Sequence, residues 1–169
     1  MLVLSLLVVL MAATSPAPAE RARAGAPRVE CKLAGVHFLG TTRQGQKVCL
    51  TISPNGKALR QYSFGGRFKC SDGSAQTGVT QVDAKGFFVS VDGLYQLGAG
   101  GGSSRTVTAI GATGTFKDIP GLSTPSTFTG KIKGTTATGT LRQHFAYKSS
   151  SSNLVCDSGL TAWSARRTG

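Results

Sequence analysis

From Val29 onward the chain never sustains the i, i+3, i+4, i+7 apolar spacing with which a helix buries one face. Instead, short runs of β-branched and aromatic residues return about every ten residues, each closed by Gly, Asn-Gly or Asp-Gly. This rhythm constrains the fold more than any other feature. It dictates an antiparallel all-β domain with few or no helices. In Lys47 to Ser53, Val48, Leu50 and Ile52 share a face and Cys49 takes the other, and Pro54-Asn55-Gly56 turns the chain into Ala58 to Phe64. Phe87 to Val91 alternates in the same way and is closed by Asp92-Gly93. Phe128 and Ile132 alternate with Thr129, Lys131 and Lys133. Gly134-Thr135-Thr136 then leads into a strand from Ala137 to Tyr147, with Leu141, Phe145 and Tyr147 on one side, so the two segments form a hairpin. A last strand, Leu160 to Ala165, carries the single Trp, Trp163. An open sheet of so many strands would leave an apolar face and two edges bare. The expected architecture is an antiparallel β-sandwich, with a closed antiparallel barrel as the alternative.

The first residues, Met1 to Ala13, form an apolar run followed by Thr14-Ser15-Pro16 and Ala17-Pro18-Ala19, which fits an A-x-A cleavage site. Residues 1–19 read as a secretory signal peptide. The run is too short to span a membrane, which takes about 18 or more apolar residues, and two prolines break it. Residues 20–30 form a flexible Pro/Ala/Arg-rich arm, and 31–169 a single β-domain, secreted and monomeric, with no membrane span after processing. Four cysteines in an exported chain imply two disulfides, for which three pairings exist. Cys70-Ser71-Asp72-Gly73 and Cys156-Asp157-Ser158-Gly159 are look-alike strand-to-turn junctions, which favours Cys70 with Cys156 and leaves Cys31 with Cys49. No C-x-x-C spacing exists and the two histidines lie in unrelated segments, so no metal or other cofactor is expected.

Ala137-Thr138-Gly139-Thr140-Leu141-Arg142, together with Cys156-Asp157-Ser158-Gly159 and Trp163-Ser164-Ala165-Arg166-Arg167, resembles a group of secreted, uncharacterised domains of high-GC Gram-positive bacteria. The similarity extends more loosely from about Gly40 through Cys70. It implies an all-β fold and a bridge between Cys70 and Cys156. Cys31 and Cys49 lie outside that pattern, and no activity comes with it.

Catalytic readings find little support. Asp157-Ser158-Gly159 echoes the nucleophile turn of chymotrypsin-like proteases, but Cys156 replaces the leading Gly, Leu160 the trailing one, and His37 has no acid in a recognisable context. Glycosidase chemistry needs two facing carboxylates. Of the seven acids, Glu20 and Glu30 flank the leader and each Asp has a turn-forming role. The chain is expected not to be an enzyme.

Charge is the remaining asymmetry: 19 Lys and Arg stand against seven acids, a formal +12, and the leader removes none of it. In the hairpin, Thr129, Lys131 and Lys133 project to the same side as Thr138, Thr140, Arg142 and His144. That face, acid-free and Thr-rich, is the expected ligand-binding surface through Lys131, Lys133, Arg142 and His144. Its partner would be an anionic polymer such as a teichoic acid, an acidic polysaccharide or extracellular DNA. One alternative is a neutral carbohydrate module using Tyr62, Phe64, Phe88, Tyr95 or Trp163 as platforms. Another is a protein-interaction or inhibitor module using the glycine run Gly98 to Ser104.

Overall fold

The computed structural model describes residues 28–83, 86–91, 95–98, 108–118, 126–148 and 153–169. The leader, most of the arm, the Asp92-Gly93 turn, the glycine run beyond Gly98 and the side chains of Phe88 and Tyr95 lie outside the described residues.

Among the described residues every regular element is a strand. In chain order they are β1 (Val36–Thr42), β2 (Lys47–Ile52), β3 (Ala58–Cys70), β4 (Ala75–Asp83), β5 (Gly86–Val91), β6 (Tyr95–Gly98) and β7 (Thr108–Ala109). There follow β8 (Thr115–Asp118), β9 (Thr127–Lys133), β10 (Thr136–Arg142), β11 (His144–Lys148), β12 (Asn153–Asp157) and β13 (Thr161–Thr168). All pairings are antiparallel, and the main path runs β6-β5-β4-β3-β2-β1-β13-β10-β9-β8. The all-β class and both disulfides, Cys31–Cys49 and Cys70–Cys156, are as the sequence led us to expect. The layering differs from a two-sheet sandwich. One hydrogen-bonded sheet curls into a half-barrel, nearer the barrel alternative, and so buries its own concave face.

The alternation explains that burial. Phe38 on β1, Val48, Leu50 and Ile52 on β2, Tyr62 and Phe64 on β3, Phe128 on β9, Leu141 on β10 and Trp163 on β13 form one buried cluster. Its centre is an aromatic stack. The Tyr62 and Phe128 centroids are 4.2 Å apart and Phe128 to Trp163 is 5.1 Å, with near-parallel planes in both. The stack requires a bare backbone beside the indole. A β-carbon at Gly139 would lie 2.7 Å from the Trp163 ring and collide with the Thr129 carbonyl.

The strand expected from Ala137 to Tyr147 is broken. It divides at Gln143, because the chain changes partners there: β10 pairs with β9 and β13, whereas β11 pairs with β12. Leu141 therefore joins the main core, while Phe145 packs edge-on against Phe68 beside Cys70 and Cys156 in a second one. Gln143 makes the corner. Its backbone N–H donates to Ser158 Oγ (2.8 Å), and its side-chain oxygen accepts from Thr80 Oγ1.

On the convex side, Cys49, Thr51 and Gln61 are buried although they point away from the core. The segment before β1 covers them. Gln61 Oε1 accepts from the N–H groups of Lys32 (2.9 Å) and Leu33 (3.0 Å), and Cys31 is bonded to Cys49. His37 lies on the convex side of an interior strand, its Nε2 2.8 Å from the Leu33 carbonyl oxygen.

Candidate basic face

Register builds the convex face between β8 and β13. Lys117 lies opposite Thr129, which lies opposite Thr140. Lys131 faces Thr138, and Thr138 faces Ser164. Lys133 faces Thr136, and Thr136 faces Arg166. Because Phe116, Phe128, Ile132, Ala137, Leu141, Trp163 and Ala165 turn inward, all of these point out. Lys117, Lys131, Lys133 and Arg166 are exposed. With strands about 4.8 Å apart and alternate residues about 7 Å apart, the four cations fall on a patch roughly 15 Å on a side, with Lys117 and Arg166 about 20 Å apart at opposite corners. Threonine hydroxyls fill the rows between them, and Thr129 and Thr140 are linked Oγ1 to Oγ1 at 2.9 Å. Among the described residues no carboxylate pairs with these four cations.

The hairpin was expected to present Lys131, Lys133, Arg142 and His144 together with no acid nearby. The structure keeps the two lysines together and corrects the other end. Arg142 donates to Asp157 from Nη2 (2.7 Å) and Nε (3.1 Å), and His144 Nδ1 lies 3.0 Å from the same carboxylate. Partial burial pushes the Asp157 carboxyl up. Hydrogen bonds from Arg142, the Gly159 N–H and His144, with the Arg142 charge, outweigh it and hold the group down at about 2. Asp157 therefore stays ionised and occupies both basic residues. Pairing across the hairpin sets this up, since His144 and Asp157 are directly opposed on β11 and β12. Had His144 to Lys148 and Asn153 to Asp157 been read as paired strands, the opposition would have followed from the sequence. Arg166 was also legible: once Trp163 points inward, a residue three positions on points outward.

Ser158 is buried. Its Oγ accepts from Gln143 N–H and donates to the Gly159 carbonyl, so its partners are backbone groups that fix a turn. Tyr62, Phe64 and Trp163 are each no more than 3% exposed, and none of the three presents a platform to a sugar ring.

The fold and this face together define the class: an antiparallel β half-barrel pinned by two disulfides, with a cationic, threonine-rich convex face. Compared with protein families, curated proteins and solved structures, the chain matches none. No helix among the described residues is long and apolar enough to cross a membrane.

Proposed function

We propose that this is a secreted, non-enzymatic binding domain that holds anionic polymers on its convex face. Teichoic acid, acidic polysaccharide and extracellular DNA share the required chemistry: a repeating phosphate or carboxylate on a flexible chain. The observation that carries the reading is the set of four exposed cations on one face, Lys117 on β8, Lys131 and Lys133 on β9 and Arg166 on β13, with no paired acid among the described residues. Arg142 and His144 serve the face indirectly, by tying the end of β10 to Asp157. Threonine hydroxyls between the cations add donors that a phosphate or carboxylate oxygen accepts.

Binding of a poly(glycerol phosphate) and of neutral dextran, measured across a salt series, tests this. With four cations engaged, log K against log salt falls with a slope of about −3, and Lys131→Gln/Lys133→Gln makes it shallower by about 1.5. Dextran should not bind. Equal affinity of wild type and double variant at every salt concentration would show that only the overall positive charge attracts the polymer.

A further inference from the structure

At one end of the half-barrel the β2–β3 turn, the β9–β10 turn and residues 110–114 converge, and the concave side opens into a cavity of about 650 Å³. That volume suits a small molecule, for which sites run roughly 300–1,000 Å³ and favour the mouths of barrels. The wall is apolar. Phe38 and Ile52 are core residues, and Val36, Ile110 and Ile132 pack against that core while remaining partly exposed. Two cations break this apolar surface. β13 turns Trp163, Ala165 and Arg167 to the concave side in phase, so Arg167 lines the cavity while its neighbour Arg166 points to the convex face. Lys57 enters from the β2–β3 turn. Among the described residues neither has a carboxylate partner.

A bare inorganic anion would leave the aliphatic wall wetted, and a plain hydrocarbon would leave both cations unused. The molecule that satisfies both halves has an acidic head and an apolar body. We propose that this cavity binds a small amphipathic carboxylate, its head on Arg167 and Lys57 and its aliphatic body against Ile52, Ile110 and Ile132. The planar guanidinium suits a two-oxygen head, and Lys57 adds a point charge that carries no directional demand. The body is held by removal of its apolar surface from water. The site is independent of the polymer-binding face, which lies on the other side of the same sheet.

Calorimetric titration of the full chain with decanoate, and with decanol as the uncharged probe, tests the proposal. Decanoate should bind saturably at a single site. Arg167→Gln should weaken decanoate roughly 5- to 10-fold and leave decanol unchanged, because only the head has lost a partner. Ala112→Trp, in the exposed turn on the rim, should abolish binding of both probes without altering the far-ultraviolet spectrum or the melting temperature. Lys131→Gln/Lys133→Gln should bind decanoate like wild type. The proposal is overturned by absence of saturable decanoate binding, by wild-type binding in folded Ala112→Trp, by an equal loss of decanol and decanoate in Arg167→Gln, or by an equal loss in the convex-face variant.

Discussion

Arg166 and Arg167 are neighbours in the chain, carry the same charge, and have opposite surroundings. Arg166 stands on the convex face beside Thr136 and Lys133, among hydroxyls and water. Arg167 lines a cavity that it shares with the aliphatic side chains of Val36, Ile110 and Ile132, with Lys57 and with the backbone of three turns. The alternation of side chains along β13 gives one dipeptide two different surroundings. On the open face a cation interacts through a screened, long-range field and discriminates little between polyanions. Beside an apolar wall the same cation selects for what is attached to the anion as well. The molecule shows that charge alone says little about a ligand. The polarity of the ground around the charge supplies the rest.

The comparison breaks outright when the fold that separates the faces is lost. Cys70–Cys156 closes a span of 86 residues and pins the second core, so Cys70→Ser/Cys156→Ser should cost about 4 to 5 kcal/mol in urea unfolding and disable both surfaces. Cys31–Cys49 spans 18 residues and fastens only the covering segment on the convex side. Its paired serine variant should cost about 3 kcal/mol and keep decanoate binding. A milder blow falls on the wall between the faces. Gly139→Ala drives a methyl group into the Trp163 ring and the Thr129 carbonyl, for an expected loss of about 2 to 3 kcal/mol by the same measurement.

Acid titration sharpens the contrast within the convex face itself. The Asp157 pKa is about 2 when folded, below its ordinary 3.8, so the ion pair contributes fully above the unfolded value and is lost as pH falls from about 4 toward 2. Allowing for its partial exposure, the loss is about 1 to 2 kcal/mol, and Asp157→Asn should flatten stability over that window. The smallest effect on stability is expected from Lys131→Gln/Lys133→Gln, within about 0.5 kcal/mol of wild type in the same unfolding experiment. A larger loss there would mean that the two lysines hold the sheet together, and the face would lose its claim to be a free binding surface.

Much of this was legible in the sequence because it depends on neighbours a few residues apart. Alternation alone marked β2, the β9–β10 hairpin and a last strand carrying Trp163, and the pattern of turns marked the antiparallel class. It placed Lys131 and Lys133 outward together, since strand phase fixes a side chain's face without reference to the rest of the fold. The look-alike turns favoured Cys70 with Cys156 among three possible pairings, and the structure has that bridge.

Tertiary structure decided what lay beyond that range. Whether the strands stack as two sheets or curl as one depends on how β1 reaches β13 and how β12 reaches β3, pairings between residues more than eighty apart in the chain. The division of the expected long strand at Gln143 follows from a change of partner that alternation cannot register, because apolar residues continue in phase across it. The loss of Arg142 and His144 to Asp157 follows from that change. The cavity is long-range in its own way, since its walls come from five separate segments. A sequence fixes which side of a strand each residue occupies. Which strands then lie side by side, and so which charge meets which carboxylate, is set by long-range packing.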